Sequence, residues 1–272
     1  MIPFTKAHAC GNDFLIVTEE AAAGHDRAEL TRRLCARNTG IGADGIEFFV
    51  WTGPRTGRIR LHNADGSIAE ISGNGTRCVA AWMAEACGAQ AGDSLEIATD
   101  AGMRVCYVNA VQTENGFAVD VTTAMGVPAF VPRTVTIPGG VQVEGVEVST
   151  GNPHFVILVD NPHFTVDGQR WQSIGQQICG HPDFPHQTNV EFVRILSGNE
   201  IEIRIFERGV GPTTSSGTGT SASATAAIAL HGCTSPLRVI APGGAQTIEW
   251  NGPGSELKLT GPAALIALGE AW

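Results

Sequence analysis

Lysine is almost absent from this sequence of 272 residues, which contains only Lys6 and Lys258. A pyridoxal-phosphate enzyme needs a lysine that forms a Schiff base with the cofactor. Both lysines lie near the termini, and neither has a phosphate-binding loop beside it. This scarcity argues against a pyridoxal-phosphate enzyme, and we expect the protein to work without a cofactor.

Basic residues are also few: 17 Lys and Arg stand against 27 Asp and Glu, which gives a formal charge of −10. Binding to nucleic acid or to an anionic membrane needs clustered Lys and Arg, so neither partner is expected. No segment approaches 18 uninterrupted apolar residues, and the first ten residues lack a basic region followed by an apolar run. We therefore expect a cytoplasmic protein.

The seven cysteines lack CxxC spacing, and their number is odd. This usage is typical of reduced thiols in the cytoplasm, with neither a disulfide framework nor a structural zinc site. The histidines show no HExxH motif or other clustered ligand spacing, so no metal site is expected.

Periodicity predicts helices over residues 27–37, 73–87, 169–179 and 217–230, separated mainly by short strands. The segment 122–133 contains Gly126 and two prolines without a clear period, and it is the best candidate for a domain boundary. We predict a first domain of residues 1–122, to which a C-terminal strand of residues 264–272 returns. The second domain is predicted to span residues 123–263.

Four blocks of the sequence repeat in the same order at an offset of 140 to 144 residues. ACGNDFLIV (9–17) resembles STGNPHFVILV (149–159), and ADGIEFF (43–49) resembles QTNVEFV (187–193). RLHNADG (60–66) matches RIFERGV (204–210), and ISGNG (71–75) matches SSGTG (215–219). The repeat predicts two similar halves.

The repeated helices, 73–87 and 217–230, consist largely of alanine and other small residues. A helix without a polar face is normally buried, and mostly strands surround each one in the sequence. We therefore expect an α+β fold of two pseudo-symmetric domains, each a curled, mostly antiparallel sheet wrapped around a central helix. The amino ends of these helices are expected to face each other across a cleft.

Ser72 and Ser216 stand at the entrances of these two helices. A helix amino end attracts anions, but serine is also a favoured N-cap, so a single such site would carry little functional information. Two related sites favour function. GTGTSA (217–222) lacks the acidic residue that a dinucleotide site needs about 20 positions on, and neither serine lies in a GxSxG motif.

At this point the motifs as a set resemble those of the diaminopimelate epimerase family, along nearly the full chain. They are HACGNDF (8–14), GIGADG (40–45), NADGSIAEISGNGTRC (63–78), GNPHFV (151–156), TNVEFV (188–193), ERGVGPTTSSGTGTSA (207–222) and APGG (241–244). The resemblance implies cofactor-free conversion of LL- to meso-diaminopimelate, a precursor of lysine. It also implies a homodimer that binds this small-molecule substrate.

The resemblance also implies roles for individual residues. Backbone N–H groups of Gly73, Asn74, Gly217 and Thr218 would bind the reacting carboxylate. Substrate amino and carboxylate groups would be held by Asn63, Asn152, Asn189, Glu207 and Arg208. Asn12 would line the cleft, and His154 is a possible further contact. Gly45 stands where the family often has glutamine, so that contact would be absent or made by main chain.

The two catalytic positions depart from the family, which uses a pair of cysteines where this chain has Ser72 and Ser216. A helix amino end lowers the pKa of a thiol, whereas an alcohol is a far weaker acid. We therefore expect catalysis to be impaired. Either two cysteines were deliberately exchanged for serine, or this is a natural relative with lost or changed chemistry. The seven remaining cysteines and the otherwise intact pocket favour the first explanation.

Three functional hypotheses remain open. The favoured one is an epimerase scaffold for diaminopimelate, with the serines at the base positions. The second is a catalytically silent protein that binds an amino acid, and the third is a related isomerase with a different base, as in proline racemase or phenazine-biosynthesis relatives.

Overall fold

The computed structural model describes residues 1–114 and 116–272, which form two compact units. The first unit comprises residues 1–124 and 260–272, and the second comprises residues 125–259. The domain limits expected from the sequence, at 122/123 and 263/264, stay a prediction. Among the described residues, no helix is long and apolar enough to span a membrane.

Besides one strand that joins it from the C-terminus, the first unit contains, among the described residues of its N-terminal part, eight strands and two helices. In chain order they are β1 (Ile2–Ala9), β2 (Asn12–Thr18), α1 (Arg27–Cys35), β3 (Gly45–Gly53), β4 (Thr56–Asn63), β5 (Ile68–Ala69), α2 (Gly73–Cys87), β6 (Ser94–Thr99), β7 (Gly102–Gln112) and β8 (Ala118–Gly126). The last two residues of β8 belong to the second unit.

The second unit repeats this order. Its elements are β9 (Ala129–Ile137), β10 (Val141–Ser149), β11 (Pro153–Leu158), α3 (Trp171–Cys179), β12 (Asn189–Ser197), β13 (Glu200–Glu207), β14 (Gly211–Thr213), α4 (Gly217–Leu230), β15 (Leu237–Ala241), β16 (Gly244–Glu249) and β17 (Leu257–Ala271). Most of β17 belongs to the first unit, where it pairs antiparallel with β1.

Strand pairing follows the same sequence in both units. In the first unit β1–β2 is antiparallel, β2–β3 parallel, β3–β4 antiparallel, β4–β6 parallel and β6–β7 antiparallel. In the second unit β10–β11, β11–β12, β12–β13, β13–β15 and β15–β16 alternate in the same way. The expected fold of two pseudo-symmetric, mostly antiparallel domains is confirmed, and the five strand pairs of one unit correspond to the five of the other.

Each sheet packs around its small-residue helix. In the second unit, α4 is buried from Gly217 to Ala227, and Ala222, Ala224 and Ala226 join one core with Ile203 and Ile205 of β13. In the first unit, α2 forms the corresponding core through residues such as Val79, Ala80 and Met83. Small side chains allow strands to approach the helix on several sides, so the helix needs no polar face.

The opposite face of each sheet carries a second, smaller core. Leu30 and Leu34 of α1 pack against Ile46 and Phe48 of β3, and α3 packs similarly against the second sheet. Because side chains alternate along a strand, Glu47 and Phe49 of β3 point toward α2 instead. This alternation places a carboxyl group inside the first helical core.

Most of the segment 122–133, in which the sequence shows no clear period, lies in β8 and β9. Gly126 ends β8 with a φ of +86°, a backbone conformation that glycine adopts without strain. The missing period arises because the two strands meet at this turn.

Candidate active site

The sequence-predicted residues fall into two groups, one in each unit. We call Asn12, Asn63, Ser72, Gly73 and Asn74 the first half-site. We call Asn152, His154, Asn189, Glu207, Arg208, Ser216, Gly217 and Thr218 the second half-site. Each group is centred on the amino end of the unit's central helix.

Ser72 and Ser216 are the N-cap residues of α2 and α4. Both have extended backbones. Ser72 Oγ accepts a hydrogen bond from Gly75 N at 3.0 Å, and Ser216 Oγ accepts one from Gly219 N at 3.2 Å. Each hydroxyl therefore satisfies one of the amide groups that a helix leaves without an acceptor in its first turn. The remaining first-turn amides and the helix dipole make each entrance favourable for an anion.

Asparagine side chains lie beside both entrances. In the first half-site, Asn74 Nδ2 donates to Asn12 Oδ1 at 3.1 Å, and Asn12 Nδ2 donates to Asp44 Oδ2 at 2.5 Å. In the second half-site, Asn152 Nδ2 donates to Thr218 Oγ1 at 3.3 Å. Asn12 and Asn152 are repeat equivalents, and both bond to the second residue of the helix, so the loop before the second strand is tied to the helix entrance in both units.

Charged residues support the loop of the first half-site from outside. Arg37 donates to Asp44 Oδ1 at 2.7 Å and to Asp13 Oδ1 at 2.8 Å. Burial tends to raise the pKa of Asp13, but hydrogen bonds from Arg37 and Lys6 hold it below its ordinary value. These ion pairs fix Asp44, which in turn orients the Asn12 amide.

Arg77 lies fully buried behind the first half-site. Its Nη2 donates to Asn74 Oδ1 at 2.5 Å, and its Nη1 donates to the Gly73 carbonyl at 3.3 Å. Burial lowers the pKa of this guanidinium. The register equivalent in α4 is Ser221, which donates to the Gly217 carbonyl at 2.9 Å. The first half-site thus has a buried guanidinium where the second has a serine hydroxyl.

Asn63 is less closely connected to the other residues of the first half-site. It ends β4 opposite Gly45, but its Nδ2 donates to Ser67 Oγ at 3.1 Å within its own turn. The side-chain amide of Asn63 is held by the turn that follows β4, on the path from this strand to α2.

In the second half-site, a chain of polar groups runs inward from the helix entrance. His154 Nε2 lies 2.9 Å from Asn152 Oδ1, and His154 Nδ1 lies 2.8 Å from Glu191 Oε1. His154 and Glu191 are both fully buried. His154 therefore acts on the entrance through the Asn152 amide, whose orientation it fixes.

Asn189, Glu207 and Arg208 meet at the ends of β12 and β13. Asn189 Oδ1 accepts a hydrogen bond from Arg208 N at 3.0 Å, and Asn189 Nδ2 donates to the Pro153 carbonyl at 3.1 Å. The Arg208 guanidinium donates to the His186 carbonyl at 3.2 Å. Asn189 pairs with His154 across the parallel strands, so this cluster adjoins the histidine chain.

The sequence did not single out Glu47, Glu191 or Arg77 as functional residues. Each glutamate interrupts an apolar strand, IEFF or VEFV, and the repeat aligns the two. A charged residue on the core-facing side of a buried strand is the signal that would have found them.

Four buried cysteines are poor substitutes for a catalytic thiolate. Burial raises the pKa of Cys78 and Cys179, and it raises the pKa of Cys106 to about 11 and that of Cys35 to about 12. Such thiols stay protonated near neutral pH and react slowly.

A family model described as diaminopimelate epimerase matches residues 4–131 and 146–266 of this chain. The chain belongs to the diaminopimelate epimerase family. It is 37% identical over 278 aligned positions to the diaminopimelate epimerase of Corynebacterium glutamicum, covering 99% of this chain and 98% of that protein. It is 33% identical over 293 positions to that of Pseudomonas aeruginosa strain LESB58, covering 99% of both.

Solved structures share the diaminopimelate epimerase-like fold at low sequence identity. A hydroxyproline epimerase from Agrobacterium vitis, with bound trans-4-hydroxy-L-proline, has a TM-score of 0.72 at 15% identity, covering 99% of this chain and 90% of its own. A phenazine biosynthesis protein of Bacillus anthracis has a TM-score of 0.71 at 16% identity, covering 100% and 99%. At this identity the likeness describes the fold alone.

Proposed function

We propose that this protein is a cofactor-independent amino-acid epimerase that interconverts LL- and meso-diaminopimelate. Membership of the diaminopimelate epimerase family carries the proposal. It is supported by two helix entrances, each capped by a serine and tied to an asparagine loop.

In the proposed reaction, the group at one helix entrance removes the proton from the substrate α-carbon. The electron pair left behind delocalises into the α-carboxylate, where helix amides of Gly73, Asn74, Gly217 and Thr218 stabilise the charge. The group at the other entrance then donates a proton to the opposite face of the carbon. One proton is lost and one is gained, so the configuration inverts without a net redox change.

Ser72 and Ser216 occupy the two acid–base positions in this proposal. Little alkoxide forms near neutral pH, so we expect slow proton abstraction as the chain stands. Asn63, Asn152, Asn189, Glu207 and Arg208 are proposed to hold the substrate's amino and carboxylate groups, with Asn12 lining the pocket. The Arg208 guanidinium offers the planar donor pair that suits a carboxylate.

The experiment is α-proton exchange of diaminopimelate in D₂O, followed by NMR, with this chain and with the S72C/S216C variant. We expect the cysteine variant to exchange the proton several orders of magnitude faster than the serine form. If the cysteine variant binds diaminopimelate but exchanges no α-proton, the proposed reaction is wrong. If neither form binds it, the assignment of the pocket is wrong as well.

A catalytically silent binding protein is the second candidate, because both serine hydroxyls already act as helix caps. The serine form would then bind diaminopimelate without exchanging its α-proton, whereas the cysteine variant would exchange it rapidly. This pair of results would show that the two serine side chains cause the loss of activity. Rapid exchange by the serine form would contradict it and require another base.

A further inference from the structure

Glu47 of β3 carries a carboxyl group that is fully buried in the first unit. Its relative exposure is 0%, and neither Oε1 nor Oε2 makes a hydrogen bond within the part of the chain that the structure describes. An unpaired carboxyl in a core costs several kcal/mol if it is ionised, so burial favours its protonated form.

The Glu47 carboxyl lies beside the first turn of α2. A Cβ built on Gly75 would be 2.0 Å from Glu47 Oε1 and 3.2 Å from Ser72 Cβ. Gly75 is the third residue of α2, and its N–H bonds to Ser72 Oγ. The absence of a side chain at this position lets the carboxyl reach the turn at which an anion would bind.

The same arrangement recurs in the second unit, with one difference. A Cβ built on Gly219 of α4 would be 2.7 Å from Glu191 Oε1 and 3.1 Å from Ser216 Cβ. Glu191, however, is bonded to His154. In the second unit, His154 pairs with Asn189 across parallel strands. In the first unit, Phe14 pairs in the same way with Gly45, the repeat equivalent of Asn189, so Phe14 occupies the position of the histidine. The repeat thus accounts for the missing partner of Glu47.

The surroundings of Glu47 on its sheet are apolar. Its strand neighbours are Ile16 of β2 and Leu61 of β4, both members of the core around α2. Burial raises the pKa of Glu47 to about 8. The carboxyl is therefore protonated and neutral at pH 7, and it becomes an anion under mildly alkaline conditions.

Four other titratable groups lie in the same region. The Cys78 thiol of α2 interacts electrostatically with Glu47, Arg77, Asp13 and Cys10. The Arg77 guanidinium donates to Asn74 and to the Gly73 carbonyl, and among the described residues it forms no ion pair with Glu47. Burial holds Cys78 protonated, and Asp13 is paired with Arg37 and Lys6, so neither of these two groups offsets a change of charge at Glu47 between pH 7 and 9.

We propose that Glu47 controls carboxylate binding at the amino end of α2, which accepts an anion while Glu47 is protonated and rejects it once Glu47 is ionised. Two like charges that share one helix turn in a poorly solvated site repel strongly. That the natural carboxylate is diaminopimelate rests on the proposed function. The second half-site, in which Glu191 has a histidine partner, is not controlled in this way.

The test uses acetate as a simple carboxylate, because it has no amino group that titrates in the same range. Its binding is followed from pH 6.5 to 9.5 by carbon-detected NMR of residues 72–75, which does not depend on amide exchange. In the wild-type chain, we expect the acetate Kd to rise about tenfold per pH unit above about pH 8. In Glu47→Gln, which is neutral at every pH, the Kd should stay constant.

Glu191→Gln is the matched control, since it makes the same substitution at the equivalent glutamate beside α4. It should keep the wild-type pH dependence at residues 72–75. An equal pH dependence in the wild type and Glu47→Gln would overturn the proposal, as would the absence of any acetate response at these residues at pH 6.5.

A parallel titration with diaminopimelate separates the two proposals. If acetate shows the expected dependence but diaminopimelate does not bind, the control by Glu47 stands and the proposed substrate is wrong. The alternative outcome is a ratio of the diaminopimelate affinities of the wild type and Glu47→Gln that is the same at pH 6.5 and pH 9.5. In that case the proposed control by Glu47 is wrong and the substrate assignment stands.

Discussion

At the scale of single residues, the contact between Gly75 and Glu47 links a helix to a strand. A methyl group on Gly75 would overlap the carboxyl oxygen, so the glycine is required by its neighbour rather than by its backbone conformation. The corresponding contact between Gly219 and Glu191 is looser, at 2.7 Å. Glycine at the third position of α2 and of α4 therefore avoids a clash with a buried carboxyl group.

Gly75→Ala should lower the free energy of unfolding by about 1–3 kcal/mol, because the carboxyl must move to make room. Gly198→Ala is the control, since a Cβ there meets nothing within 4 Å. Urea denaturation of both variants measures the difference. Combining Gly75→Ala with Glu47→Ala should cost less than the sum of the single changes, and strict additivity would argue against the contact.

Glu47 should also make stability depend on pH. Its pKa is raised from 4.5 to about 8 by burial, so between these values the folded protein holds a proton that the unfolded chain has released. The free energy of unfolding should therefore fall as pH rises through this window, by up to about 1.4 kcal/mol per unit, and level off above it.

Urea denaturation of the wild type and Glu47→Gln at pH 5, 6.5 and 8 measures this dependence. The difference between the two proteins isolates the glutamate, because every other titrating group is common to both. An unfolding free energy whose pH slope is the same in both proteins would show that Glu47 titrates normally.

At the scale of secondary-structure elements, the four helices of the described residues begin in two ways. Asp26, Ser72 and Ser216 cap α1, α2 and α4 through side-chain oxygens, whereas Arg170 at the start of α3 makes no side-chain cap bond. The serines of α2 and α4 therefore contribute to stability in addition to their proposed place in the chemistry.

Ser72→Ala should destabilise the protein by about 1 kcal/mol, since Gly75 N loses its acceptor, whereas Ser72→Gly should cost only a few tenths. Arg170→Ala is the matched control and should change little. Thermal or urea denaturation compares the three. If Ser72→Ala and Arg170→Ala have the same effect, the serine does not act as a cap.

At the scale of the whole molecule, the two units share one order of strand pairing but differ in residues beside their helix entrances. The order of strand pairing is shared, and so are the helix caps and the asparagine loops. Two of the differences beside the helix entrances are Phe14 against His154 and Arg77 against Ser221. These exchanges give the first unit an unpaired carboxyl and a buried guanidinium, and the second a paired carboxyl.

Exchanging the diverged residues should transfer the pH behaviour between units. Phe14→His gives Glu47 a partner of the kind that Glu191 has, so the pH slope of unfolding between pH 5 and 8 should become shallower. His154→Phe removes the partner of Glu191 and should make the slope steeper. Denaturation of each variant at several pH values tests both directions, and an unchanged slope in both would refute the equivalence.

The sequence alone determined the fold class, the repeat and the helices over 73–87 and 217–230, because small-residue periodicity and Ser-Gly entrances are local signals. The roles of the thirteen site residues stay a prediction. The tertiary structure alone decided the burial of the Glu47 carboxyl group and the residues around it. Burial of a carboxyl depends on Ile16 and Leu61 from separate strands, and its missing partner depends on the register that places Phe14 there. Local periodicity carries no information about either neighbour, since each is set by pairing between distant segments.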